Sequence, residues 1–365
     1  MPRSFYLARC LTLLVCLSAL LVDSAKTTRS ASVSASSLPI IYFHGITATA
    51  KTGLNLQQNL TTDSRPFVTL NFCEGSCSVR ALPSQVPMAI EQIRSIVAND
   101  SRFANGYVFI GHSQGGLLAR AVIEEMDDHK VHTFISLAGP HNGQFYGPQA
   151  SDAVPTQMFL KSLGPKVLPP SLMNFSSYTP EDVANGKPQV DFVNLVNAQP
   201  ELQNQVSVAN LLRSPIRADW VRVNSFLPPV NNMEVLGKYG TLAKQHRRKT
   251  NFLKLKAAHF FASSGDDIIA PWQSSIFGHY SEVSSLSKLK TTFKQLKVIS
   301  MKETQEYKFD TYGLRTLDRR GGLHLHTIDG VSHNCWVFDH TPLGATTPCL
   351  FKPVFEQSVF PLLGA

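Results

Sequence analysis

Ser113 stands in the segment VFIGHSQGGLLAR, residues 108–120, with Gly111 two positions before it and Gly115 two after. An apolar β-type run precedes it and an apolar helical pattern follows, so the segment has the strand, turn, helix order of a nucleophile elbow. Small residues on both sides let the turn close tightly around a strained central residue and hold its hydroxyl above a sheet. A serine hydroxyl is a poor nucleophile near neutral pH; it needs a base, and the base needs a carboxylate to orient it. In this setting the chain order is Ser, then Asp or Glu, then His. The loop SGDDIIAP, residues 264–271, follows the apolar run HFFAS and supplies Asp266 as the carboxylate, with Asp267 as the second choice. Of 12 histidines, four lie late enough to serve as the base: His324, His326, His333 and His340. His324 and His326 alternate within LHLHTI and read as ordinary strand residues. His333 follows on the loop DGVSH, which contains a glycine and can reach back to the serine, and His340 is the fallback. The tetrahedral intermediate would need two N–H donors, expected from the backbone of Gln114 and of Ile46 in FHGIT, with His44 packing beside them.

These residues require a frame. Residues 38–43 (LPIIYF), 67–72 (FVTLNF), 107–110 (YVFI), 131–138 (VHTFISLA) and 259–263 (HFFAS) are short, apolar and rich in β-branched or aromatic side chains. Residues 298–301 and 323–328 add two more strand candidates, and helices are expected over 86–97 and 117–126. Alternating strands and helices imply an α/β fold with a mostly parallel central sheet and helices on both faces. The alternation stops after His141. About 115 residues rich in Pro, Asn, Gln and Ser are too many for a loop, so a mainly helical cap is expected over about 148–256, inserted into one domain spanning 38–365.

Residues 1–24 carry Arg3 and Arg9, an apolar stretch 11–22 and the small pair Ser24-Ala25, the pattern of a cleaved secretory leader. Residues 25–37 are a Ser/Thr/Ala-rich flexible segment. Sequons at Asn59, Asn99 and Asn174 agree with a secretory route. Past the leader four cysteines remain, and local pairing is preferred: Cys73 with Cys77 and Cys335 with Cys349.

Charged residues make up 16% of the chain, below the average for globular domains, which excludes a disordered tail or a coiled coil. The net charge is +8. Seven of those charges fall between Lys238 and Lys256, a stretch without Asp or Glu, so the surplus marks one segment and no nucleic-acid surface. Arg247, Arg248 and Lys249 are the expected contact for an anionic partner, the phosphates of CoA or a membrane lipid.

The segments FHGI, IGHSQGGLLAR, AGPHNGQFYG, GDDIIAPWQSSIFGHY and GLRTLDRRGGLHLHTIDGVSHNCW together resemble the palmitoyl-protein thioesterase family of lysosomal α/β-hydrolases. Ala270 stands where the family's first type has a second aspartate, so the likeness is closer to the second type. The resemblance implies Ser113 as nucleophile, Asp266 and His333 as its partners, and Ile46 and Gln114 as oxyanion donors. It further implies hydrolysis of a long-chain acyl thioester, on S-acylated protein or acyl-CoA, with no metal or organic cofactor, in the lysosome. An oxygen-ester lipase is the competing enzyme reading; a silent lipid carrier is the remote one. The acyl chain would need an apolar groove, for which Met158, Phe159, Leu163, Leu172 and Phe175 in the insertion are candidates.

Overall fold

The computed structural model describes residues 38–60, 65–234, 236–237 and 240–364. The expected leader, the 25–37 segment and Lys238 lie outside the described residues. Six strands form one parallel sheet: β1 (Ile40–Phe43), β2 (Phe67–Thr69), β3 (Tyr107–His112), β4 (Val131–Leu137), β5 (Ala257–Ala262) and, counting two short strands between, β8 (Leu323–Thr327). Their spatial order is β2-β1-β3-β4-β5-β8. The two short strands, β6 (His279–Tyr280) and β7 (Val298–Ile299), pair antiparallel with each other outside that sheet. The run expected at 298–301 is therefore shorter and separate, because Met301 already begins a 3₁₀ turn closed by the Ser300 and Glu303 side chains.

Both faces of the sheet are buried along β1, β3 and β4, which is why those strands are nearly all apolar, whereas the edge strand β8 alternates Leu with His and is largely exposed. Successive side chains still point to opposite faces. Ile41, Phe43, Phe109, Phe134 and Phe260 join one core, with helices α2 (Leu82–Asn99) and α3 (Gln114–Glu125). Ile40, Tyr42, Val108, Ile110, Ile135 and Phe261 join the other, closed by Trp336, Phe351 and Phe355 near the C-terminus. Helix α2 starts before the expected residue 86, so Pro87 lies inside it. The early start is satisfied by one distant and one local partner: the Leu82 N–H donates to Asn210 Oδ1 at 2.8 Å and the Ser84 N–H to the Ala81 carbonyl at 3.1 Å.

The described residues between β4 and β5 are helical or irregular. Phe159, Val167, Met173, Phe175, Phe192 and Val193 make a third apolar core there, together with Ala270, Tyr280 and Phe293 from beyond β5. Helix Leu242–Phe252 is different. Its Phe252 is buried in the core that also takes side chains of α2 and α3.

Three basic residues of this helix are ion-paired. Arg247 pairs with Glu125 and with Asp127 (3.0 Å), Arg248 with Glu125 (2.6 Å) and Glu234 (2.7 Å), and Lys249 with Asp310 (2.9 Å). The three cations expected to meet an anionic partner each have an acidic neighbour within the protein, and Arg247 and Lys249 remain about one-third exposed. Glu125, Asp127 and Asp310 lie 61 or more residues away and Glu234 lies 14 away, outside the 238–256 stretch, so a charge tally of that stretch misses them.

Candidate active site

The chain runs from β1 outward to β2, then returns to place β3 on the other side of β1. Connections diverge at such a point and leave a crevice at the carboxyl ends of the strands, the usual ligand position in an open α/β sheet. Ser113 directly follows β3 there. Its backbone sits at φ 57°, ψ −132°, a region that non-glycine residues occupy only when their surroundings enforce it. The glycines explain the enforcement: a Cβ on Gly115 would lie 2.4 Å from the carbonyl oxygens of Phe43 and His44, and one on Gly111 2.6 Å from the Gly116 Cα. Only glycine lets strand, turn and helix approach this closely.

Asp266 follows β5 and His333 follows β8, each on a strand further along the same sheet edge. The His333 Nδ1 lies 3.0 and 3.1 Å from the two carboxylate oxygens of Asp266. Asp266 Oδ1 also accepts the N–H groups of Ile268 (2.9 Å) and Ile269 (2.8 Å), which fixes the carboxylate. Asp267 is turned elsewhere, and its Oδ1 accepts the backbone N–H of His333 at 2.9 Å. On the other side, His112 Nε2 donates to the His333 carbonyl at 2.8 Å. Burial and then the neighbouring His333 hold His112 down to about 3, so it is neutral and keeps the proton it donates. The base candidate is thus pinned through both its backbone N–H and its carbonyl. Ser113, Asp266 and His333 are 5%, 4% and 3% exposed, so the cluster is nearly dry. Burial pushes the His333 imidazole down, but the Asp266 carboxylate with its hydrogen bond, aided by Asp267, outweighs it and leaves the group above the ordinary histidine value.

The other histidines are placed elsewhere. His340 bonds Ser332 Oγ at 3.1 Å and lies 3.9 Å from Asp267. His324 and His326 are in β8, where His326 stacks on Phe261. His44 Nε2 donates to the Phe72 carbonyl at 2.9 Å.

Among the described residues, no protein acceptor takes the N–H of Ile46 or of Gln114. The loop carrying Ile46 is braced by the turn Gly75–Val79. The Thr47 N–H donates to Ser78 Oγ (2.6 Å), the Ala50 N–H to Glu74 Oε1 (2.6 Å), and the Gly75 N–H to the Ala48 carbonyl (2.9 Å). The Cys73–Cys77 disulfide closes that turn, and Cys335–Cys349 closes the segment after His333, the two local pairings expected.

Ser113 lies between two cavities. One is lined by Ile46, Gln114, Gln144, Phe145, Tyr146, Phe159, Leu163, Gln189, Phe192, Leu211, Leu212 and Ile268. The other is lined by Thr47, Thr52, His112, His333, Asn334 and Phe338, and shares Ile46, Leu163 and Ile268 with the first. Of the five groove candidates, Phe159 and Leu163 line the first cavity. They are four residues apart on the π turn Phe159–Leu163 and so share a face. Phe175 instead packs edge-on against Phe159 (5.4 Å) and faces a separate groove with Tyr178, while Leu172 packs against the cap core. Met158, immediately before the π turn, does not line the cleft either, since one helical step rotates it away from Phe159. Phe145 and Tyr146 were legible only within the AGPHNGQFYG segment, and Gln189 and Phe192 had no sequence signal beyond a helical pattern.

Among the described residues no group of three or more His, Cys, Asp or Glu side chains is arranged to hold a metal ion, and no helix is long and apolar enough to cross a membrane. Asn99 and Asn174 are exposed and Asn59 is half-buried.

Comparison with known proteins agrees with this architecture. The chain is 30% identical over 309 residues to lysosomal thioesterase PPT2-B of Xenopus laevis, covering 83% of this chain and 88% of that one. It is 28% identical to human lysosomal thioesterase PPT2 (84% and 85% covered) and 27% identical to palmitoyl-protein thioesterase 3 of Dictyostelium discoideum (97% and 99%). The palmitoyl protein thioesterase family model matches residues 39–333, which takes in β1, the elbow and the last histidine of the cluster. The chain therefore belongs to the palmitoyl protein thioesterase family, a family of thioester hydrolases.

Proposed function

We propose that this chain hydrolyses long-chain acyl thioesters through an acyl-enzyme on Ser113, with His333 as base and Asp266 as its orienting carboxylate. The observation that carries the reading is Ser113 on a strained elbow at the mouth of an apolar cleft, beside an imidazole held by a buried carboxylate. Ser113 Oγ would attack the thioester carbonyl as His333 Nε2 takes its proton, and the oxyanion would receive the N–H groups of Ile46 and Gln114. Collapse of the intermediate expels the thiolate, which His333 reprotonates. The leaving arm must therefore lie on the His333 side, in the cavity of Thr47, Thr52 and Asn334, and the acyl arm in the cleft of Phe159 and Phe192. Water, activated by the same imidazole, then releases the fatty acid.

The lysosomal relatives support a working compartment in the lysosome or along the secretory route. The test is hydrolysis of palmitoyl-CoA and of an S-palmitoyl peptide by the wild type and by Ser113→Ala. Loss of both activities is expected, with loss of fluorophosphonate labelling. Undiminished turnover by Ser113→Ala would overturn the mechanism, and a higher kcat/KM on a triacylglycerol emulsion would make the protein an oxygen-ester lipase.

A further inference from the structure

The cleft assigned to the acyl chain is not uniformly apolar. Three glutamines, Gln114, Gln144 and Gln189, are among its lining residues beside Phe159 and Phe192. Gln144 is engaged, its Oε1 accepting from the Tyr146 hydroxyl at 3.0 Å. Gln114 donates its Nε2 to the Ser78 carbonyl at 2.8 Å, which leaves its buried Oε1 without a partner. Gln189 is 7% exposed, in the first turn of helix Lys187–Ala198, and its buried Oε1 has no hydrogen-bond partner either. A buried carbonyl oxygen with nothing to accept is destabilising, and a groove for a plain hydrocarbon chain has no use for one. A methylene pushed against such an oxygen leaves it unsatisfied and displaces any water that served it; a hydroxyl at the same place restores the bond.

We infer that Gln189 reads a hydroxyl on the substrate's acyl chain, so that the cleft takes a hydroxylated long-chain acyl group in preference to the unsubstituted one. This rests on the reading of the cleft as the acyl site of Ser113. Gln114, next to the nucleophile, offers a second acceptor nearer the reacting carbonyl. Small-ligand sites are built this way, with an apolar wall and a few polar groups that fix what may lie where. Discrimination of this kind is strong because the analogue lacking the hydroxyl strands the acceptor.

The experiment measures kcat/KM for palmitoyl-CoA and for palmitoyl-CoA singly hydroxylated at successive chain positions, with the wild type, Gln189→Leu and Gln189→Met. The wild type is expected to favour at least one hydroxylated ester by about tenfold or more. Both variants are expected to lose that preference, their kcat/KM for each hydroxylated ester falling to that for palmitoyl-CoA or below. A wild type that favours none of the hydroxylated esters, or a preference that survives in both variants, overturns the inference. Binding of free palmitate and hydroxypalmitates to Ser113→Ala, followed by thermal shift, separates this from the reaction itself. If no thioester is hydrolysed, the proposed reaction falls, and the binding still decides: equal shifts for palmitate and every hydroxypalmitate overturn the role of Gln189, whereas a larger shift for one of them, lost in Ser113→Ala/Gln189→Leu, supports it.

Discussion

Of two adjacent carboxylates, Asp266 is the first choice in the sequence and Asp267 the second; their hydrogen bonds differ, and replacing each by asparagine separates them. In Asp266→Asn the amide can keep one oxygen on the Ile268 and Ile269 N–H groups, bonds of 2.9 and 2.8 Å, so the loop keeps its shape. Its NH₂ then faces His333 Nδ1, where an acceptor stood at 3.0 Å. A donor there forces the proton onto Nε2, and the imidazole can no longer take the proton of Ser113. The equivalent change in serine proteases lowers kcat by about 10⁴, equal to roughly 5 kcal/mol of transition-state stabilisation. Asp267→Asn keeps an oxygen for the His333 N–H at 2.9 Å, and the carboxylate oxygen it replaces has no hydrogen bond to lose, so its kcat should fall less than about tenfold. The pH profile gives an independent sign. On the proposed mechanism activity requires neutral His333, whose proton is held more tightly than usual by Asp266, so the acid limb of the wild type should lie above the ordinary histidine value of about 6.5. Removing the carboxylate leaves burial in charge, and the limb in Asp266→Asn should move to lower pH. Palmitoyl-CoA hydrolysis followed by thiol release across pH measures both quantities. Equal losses in the two variants, or an Asp266→Asn enzyme that keeps more than about a tenth of wild-type kcat, would refute the assignment.

The bond from the Thr47 N–H to Ser78 Oγ implies that Ser78→Ala lowers kcat by about 10- to 100-fold with little change in KM, because the Ile46 donor loses its brace, and that Ser78→Thr restores it; a fall in Tm at unchanged kcat would reduce Ser78 to scaffold. Arg248→Met strands the 1%-exposed Glu234 carboxylate and should cost about 3 kcal/mol or more in urea unfolding, leaving KM for palmitoyl-CoA unchanged; a raised KM at unaltered stability would restore the basic segment as a substrate contact. His129 is held down to about 4, first by burial; its Nε2–H donates to the Asn251 carbonyl (3.0 Å) while Nδ1 accepts the Val131 N–H (3.2 Å), a bond that protonation destroys. A histidine with a depressed folded value contributes stability above its unfolded value near 6.5 and loses it as pH falls toward 4, by up to roughly 3 kcal/mol, so His129→Gln should flatten the pH dependence of Tm in that window; an unchanged slope would count against it.

What was legible in the chain follows from how local each constraint is. The elbow could be read because the glycines around Ser113 answer steric demands within a few residues, and β1, β3 and β4 because strands buried on both faces are nearly all apolar. His333 could be chosen over His324 and His326 because strand alternation explained those two. The role of Asp267 could not be read, since a side chain accepting a backbone N–H 66 positions away leaves no pattern in the sequence. The pairing of Arg247 with Asp127 spans 120 residues, and a charge tally along the chain counted it as surplus. Gln189 and Phe192 reach the cleft only because the cap packs as it does, and the π turn at Phe159 decides which groove candidates face Ser113. Each of these depends on packing between segments, where helical or strand period carries no information.

The register between β1 and β3 ties the fold to the chemistry more closely than any single side chain. Phe43 is paired with Gly111, and the two expected oxyanion donors lie at the same offset beyond that pair, Ile46 three residues after Phe43 and Gln114 three after Gly111. Their separation is therefore set by how closely the two strand ends and their loops approach. Gly115 governs that approach, since its Cα rests against the Phe43 and His44 carbonyls and a methyl group there would come within 2.4 Å of both oxygens. Backbone carbonyls in a buried strand end have little room to move, so Gly115→Ala must push α3 and the β1 loop apart. Hydrogen-bond donation to an oxyanion fails over a few tenths of an ångström, whereas the apolar cores on either side of the sheet can absorb such a shift. Gly115→Ala should thus lose about 10²- to 10³-fold in kcat while remaining folded by circular dichroism and still binding palmitate. Wild-type kcat in that variant would show that the donors are not positioned by the β1–β3 contact, and the roles of Ile46 and Gln114 would have to be reassigned.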